Sequence, residues 1–244
     1  MLVNKTTKPD ELFNYFKDIL KTFPSHQFRA NWQNKQFQRL KENPPQQHCI
    51  FVRDFSENYR CFDKTEIQSS YFARLEISIH VTLIYRHGIL EIDGEESTDD
   101  NPSIVTEQLF VFSPDDSHDM YFTYDVRKLV ANYFSSISAS VTTIHEFTDS
   151  CKTQYKSRHC LGDLSYSRED FGFQEYFRNF FETSHAKGPQ DAAGGFVKRQ
   201  ADIEVNIKTA EDMYQFAIQN LTKPNESANC KRRIFRLLAR YYRA

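Results

Sequence analysis

Three strand-like runs follow one another between residues 49 and 112, and two more follow with helix-length segments in between. This order constrains the fold more than any other feature. Strands joined without a helix can pair as an antiparallel meander, whereas a strand reached through a crossover helix is pushed to be parallel. The runs are residues 49–54 (CIFVRD), 75–85 (LEISIHVTLIY), 104–112 (IVTEQLFVF), 141–149 (VTTIHEFTD) and 176–183 (YFRNFFET). In the second, Leu75, Ile77, Ile79, Val81 and Leu83 recur at every other place, the signature of a strand with one face on a core.

The segments between and around these runs read as helices. Residues 113–117 (SPDDS) form a turn and a helix start, and the helix runs to about Ser136 with Tyr121, Tyr124, Val126, Leu129, Val130 and Tyr133 inward. Further helices are expected over 152–164, 189–203, 209–220 (Thr and acids at its start suit a cap) and 231–243, the last one basic. Residues 91–100 (EIDGEESTDD) read as a solvated acidic loop. In front, residues 8–43 read as two helices. Leu12, Phe13, Phe16, Ile19 and Leu20 share a face, 23–25 (FPS) breaks the pattern, and Phe28, Trp32, Phe37 and Leu40 belong to the second helix, which ends at 43–45 (NPP). The division is a helical N-terminal extension, 1–46, and an α/β domain, 47–244. A three-strand meander followed by alternating helix and strand is the element order of the ribonuclease-H-like fold, here a mixed five-stranded sheet flanked by helices.

Composition narrows the function classes. Phe and Tyr number 22 and 13 against 7 Gly, which suits a bulky aromatic core and not a Gly-rich phosphate cradle. The net charge of −2 means that any nucleic-acid contact must come from local patches. Five Cys, an odd number with no CxxC pair, read as free thiols in a reducing compartment. No apolar run is long enough to span a membrane, and the first residues lack the apolar core of a secretory signal. The expectation is a nuclear or cytoplasmic protein, not secreted and without a membrane partner.

Two apolar runs end in an acid, Asp54 and Asp149. Ligands of α/β sheets sit near the carboxyl ends of strands. Two carboxylates held there repel one another, and a divalent cation relieves that repulsion. As isolated residues, strand-end Asp side chains are ordinary turn formers.

Four segments carry a resemblance. Residues 51–59 (FVRDFSENY) resemble a D-F-x-E-N-Y motif of eukaryotic transposase-like proteins, and 112–119 (FSPDDSHD) their S-D-D-x-x-H-D segment. Residues 148–158 (TDSCKTQYKSR) are similar to S-D-G-x-x-x-Q-(F/Y)-K-x-R. Residues 180–199 (FFETSHAKGPQDAAGGFVKR) resemble F-F-x-x-S-H-G-K-G-x-x-D-G-x-G-G-x-x-K-R, the longest and most specific of the four. The resemblance is to the DDE/D-type transposases of the ribonuclease-H-like superfamily. It implies Asp54, Asp149 and Asp191 as catalytic acids holding Mg²⁺, with Mn²⁺ able to substitute, and metal-dependent DNA strand cleavage and transfer. Glu182 is the competing third acid and Glu57 an accessory one. Asp191 could equally cap the helix that it starts. Lys152, Lys156, Arg158, His185, Lys187, Lys198 and Arg199 are the expected DNA contacts. By analogy alone, holding two DNA ends asks for a homodimer. His118 and Asp119 read as helix caps. Ala186, Ala192 and Ser150 stand where the motifs carry Gly, so a domesticated or truncated protein that binds DNA or protein without cutting is the alternative.

Overall fold

The computed structural model describes residues 6–61, 75–182, 188–204, 207–224 and 229–239, except for the side chains of Lys152 and Thr153. Strands β1 (His48–Arg60), β2 (Glu76–His87) and β3 (Ile104–Ser113) form an antiparallel meander. Strand β4 (Thr143–Thr148) joins β1 in parallel, β5 (Glu175–Phe180) joins β4 in parallel, and β6 (Arg232–Leu237) joins β3 in parallel. The sheet is therefore six-stranded and mixed, in the order β5-β4-β1-β2-β3-β6. Helices in chain order are α1 (Pro9–Glu42), α2 (Leu90–Asp93), α3 (Met120–Ser136), α4 (Arg158–Ser165), α5 (Ser167–Phe171), α6 (Pro189–Ile203) and α7 (Ala210–Asn220), with a π-helical turn over Lys152–Lys156.

Both faces of the sheet are covered, and the alternation along each strand sorts its side chains between two cores. On one face Ile50, Val52, Ile79, Val81 and Leu83 pack under Val197 and Ala201 of α6 and Met213 and Ala217 of α7. On the other, Cys49, Phe51, Ile84, Leu109 and Val111 pack under Phe122, Val126 and Val130 of α3. Full burial of each such large side chain stabilises the fold by roughly 1.5–3 kcal/mol. Double coverage also explains why the polar residues between the apolar ones on β2, Ser78, His80 and Thr82, are fully buried.

Several local signals act as expected. Asp119 caps α3, accepting from the backbone N–H groups of Tyr121 (3.1 Å) and Phe122 (3.2 Å). Thr209 and Asp212 form a reciprocal capping box at α7. Helix α6 begins at Pro189, where the missing N–H is an orphan in any case.

Other expectations are corrected. The basic segment after residue 230 is not a helix but the edge strand β6. Ile234 and Phe235 are buried, with the Phe235 ring stacked 5.2 Å from Phe110, and Arg232 neutralises the buried Glu107 and Asp93. A helix would leave those carboxylates without one of their cations. The sheet thus has six strands rather than five. The acidic run after residue 90 is not wholly solvated, because Asp93 is buried against Arg86. Residues 8–43 are one helix, not two. Pro24 lies inside α1, where the hydroxyls of Thr22 and Ser25 bond the carbonyls of Ile19 and Thr22 beside it. Tyr121 and Leu75 are exposed, not inward.

Candidate active site

Asp54 is not at the end of its strand. Strand β1 runs on to Arg60, with Asp54 paired to Val81 of β2, but its pairing with β4 stops at Val52 opposite Phe147. Beyond that pair β4 ends and β1 continues, which opens a notch in the sheet. Asp54 stands on the β1 side of it and Asp149, just past the end of β4, stands on the other.

Asp191 comes from a third element. It occupies the first turn of α6, which crosses the β1–β2 face. The helix lies very close to the strand at Gly194, where a Cβ would fall 2.7 Å from Ser56 Oγ and 2.8 Å from Ser56 Cβ. The glycine is needed for this approach to protein, three residues along from Asp191. Gly195 is beside Arg199, whose guanidinium would be 3.1 Å from an added Cβ.

Asp54 is within electrostatic reach of both other acids. Burial first, then the negative charges of Asp149 and of Asp191, push the Asp54 carboxyl up from 3.8 to about 7. Each of the other two also serves its own backbone: Asp149 Oδ1 accepts from the Cys151 N–H (3.0 Å) and Asp191 Oδ2 from the Gly188 N–H (2.8 Å). Capping and a ligand role are therefore compatible for Asp191, because a carboxylate has a second oxygen. Among the described residues, no group of three or more His, Cys, Asp or Glu is drawn together tightly enough to hold one ion in common.

Glu182 is already paired. Its carboxylate pairs with Arg29 (2.9 Å) and His26 (3.3 Å) of α1, and Arg29 above all lowers its pKa. Glu57 is on the exposed side of β1 near Lys198.

The expected basic contacts are dispersed around the notch. Lys156 Nζ donates to Ser150 Oγ (3.0 Å) and lies over the Phe180 ring (4.4 Å). Arg158 is exposed at the start of α4, bonded to its neighbour His159. Lys198 Nζ donates to the Glu57 carbonyl (3.1 Å), and Arg199 is exposed on α6. Lys152 lies in the π-helical turn, and its side chain is outside the described atoms. His185 and Lys187 lie outside the described residues.

A buried ionic layer beneath the notch had no signal in the sequence pattern. Glu146 accepts from Arg53 (2.6 Å) and Arg178 (2.7 Å), all three being buried. Although burial opposes it, these two cations and Arg127 hold the Glu146 carboxyl well below the usual range. Arg53 Nη2 also donates to the Thr123 carbonyl of α3 (3.2 Å), so the residue before Asp54 pins β1 to a helix and to β4 at once. Beside it, Tyr155 and His80 are fully buried and 3.4 Å apart. His118 does not cap α3: it stacks on Phe55 (4.0 Å) and bonds Ser78 Oγ (3.0 Å). Arg, Glu and Arg on the hidden face of three strands are brought together only because β1, β4 and β5 are neighbours.

The structure defines a class: an α/β domain whose mixed sheet is covered by helices on both faces. Residues 33–231 match the model of a family described as a domain of unknown function (DUF8701), and the chain belongs to that family. No curated protein and no solved structure matches it.

Proposed function

We propose that this is a ribonuclease-H-like catalytic domain of DDE/D transposase type, which cleaves and transfers DNA strands with Mg²⁺ or Mn²⁺. The observation that carries the reading is placement: Asp54 lies on β1 beyond its last pair with β4, Asp149 just past the end of β4, and Asp191 in the first turn of the helix that crosses β1 and β2. Burial first, and then crowding by those two charges, raises the Asp54 carboxyl. A fold gains nothing in stability from that crowding. A site that binds cations does, because the ligand repays the repulsion. The meander β1–β3 followed by parallel β4 and β5 supports the fold assignment.

The donor set suits a hard cation that takes a few carboxylates together with phosphate oxygens. Asp54, Asp149 and Asp191 are the residues that would hold it. Bound metal would supply a more acidic attacking water and charge neutralisation at the leaving oxygen. The protein's own part is placement: the Arg53–Glu146–Arg178 layer fixes β1 against β4 and β5, and Gly194 lets α6 close on β1. Lys156, Arg158 and Arg199 are the exposed cations that would meet phosphates.

A second reading is a DNA- or protein-binding domain of the same origin that no longer cuts. It is favoured by the absence, among the described residues, of a closed three-acid cluster. Cleavage of a labelled duplex in Mg²⁺ or Mn²⁺ separates the two. The nuclease reading requires cutting by the wild type and its loss in Asp54→Asn, Asp149→Asn and Asp191→Asn. DNA binding with no cutting in either metal would establish the second.

A further inference from the structure

We propose that two copies of this chain pair through the first half of α1, forming a helical coiled-coil seam. Along α1 the side chains 16, 23, 30 and 37 recur every seven residues, and so do 12, 19, 26, 33 and 40, three residues after each of the former or four before. This is the a/d repeat of a helix that packs along another surface with a 3.5-residue period.

The seam has two halves with different fates. In the second half Ala30 and Phe37 are buried on the body, Phe37 edge-on to Phe147 (4.9 Å), while Gln33 receives the Glu182 N–H (2.7 Å) and His26 pairs with the Glu182 carboxylate. In the first half the same seam continues as Leu12, Phe16, Ile19 and Phe23, flanked by Phe13, Tyr15 and Leu20. All seven are exposed, from 42% at Leu20 to 65% at Tyr15. The exposed stretch before Pro24, residues 9–23, is about the length at which an isolated helix is marginal in water even when rich in alanine, and Pro24 weakens its tie to the docked half. Covering its apolar face with a partner would stabilise it.

Charge and area identify the partner. Residues 8–25 carry Lys8, Lys17 and Lys21 against Asp10, Glu11 and Asp18. This balance matches neither an anionic lipid surface nor a phosphate backbone, both of which select a cationic face. The heptad seam asks for another heptad seam, and a second copy brings an identical one, as a two-fold interface requires. Seven half-exposed side chains of this size offer on the order of 700–800 Å² per copy. A standard specific interface takes about 800 Å² from each partner.

The test is sedimentation velocity of the full chain over a micromolar concentration series, for the wild type, Phe16→Glu and Ile19→Glu. The expected result is a dimer for the wild type and a dissociation constant raised roughly 100-fold or more in each variant, since a carboxylate would be forced into an apolar seam. Thermal unfolding should show the body unaffected, because neither side chain touches it. Hydrogen exchange over residues 9–25 should be slow in the wild-type dimer and fast in the variants. A wild type that stays monomeric throughout, or a dimer that both variants retain, overturns the proposal. So does a monomer that binds neutral phosphatidylcholine vesicles through this helix.

Discussion

Replacing Asp54 by Asn should stabilise the metal-free protein at neutral and alkaline pH. The carboxyl is raised from 3.8 to about 7 by burial and by the charges of Asp149 and Asp191. A raised carboxyl means that the native state holds its proton more tightly than the unfolded chain does. Its contribution is fully present below pH 3.8 and is lost as the pH climbs through 7. Roughly three units at 1.36 kcal/mol each gives an upper bound of ~4 kcal/mol, and solvent screening of this half-buried group reduces it to ~2 kcal/mol. Asn is nearly isosteric and removes the charge. For a chain of this size a gain of that order raises Tm by ~4–8 °C. The assay is thermal unfolding of both proteins in EDTA from pH 4 to pH 8, read as the difference between them. The difference should be near zero at pH 4 and open towards pH 8. Adding Mg²⁺ at pH 8 should raise the Tm of the wild type but not of the variant, closing the gap. If Asp54→Asn is no more stable at pH 8, or the difference does not depend on pH, the three carboxylates are not crowded and the reasoning fails.

Four further outcomes are expected. Gly194→Ala should lower stability by about 1–3 kcal/mol, as its methyl meets Ser56, and Ser56→Gly in the same chain should restore the Tm. Glu146→Leu leaves Arg53 and Arg178 buried without their carboxylate and should cost about 3–5 kcal/mol, seen as loss of soluble folded protein or a much lower denaturant midpoint. His145, held down to about 4 chiefly by burial, contributes stability that is lost as pH falls from 6.5 through 4. His145→Phe keeps the stack on Phe177 and should flatten that acid-side loss in the same melts. If the basic rim meets phosphates, Lys156→Gln should weaken DNA binding and reduce the slope of log K against log salt by about 0.9, measured by anisotropy titration.

The meander and the later strands were legible because β-periodicity survives burial on one face: Ile77, Ile79, Val81 and Leu83 mark β2 whatever lies opposite. The edge strand β6 was not. Its arginines look solvated in sequence, and only the pairing with β3 shows that Arg232 answers Glu107 and Asp93 across more than a hundred residues. Pro24 gave a false stop to α1, since the penalty for a proline inside a helix is local and can be offset by neighbouring hydroxyls and by the packing of Phe37.

The acids divide in the same way. Asp149 was readable from its strand end, and Asp54 was found for a reason that the fold corrects, since β1 does not stop there. What sets Asp54 apart is that its pairing with β4 has ended while β1 runs on, a property of two strands together. The choice between Asp191 and Glu182 likewise belongs to the tertiary structure. Both follow β5, but Glu182 is satisfied by Arg29 and His26 of α1, while Asp191 sits near enough to raise Asp54. A carboxylate already paired with two partners has little reason to bind a further cation, so the proposed third acid is Asp191 and not Glu182.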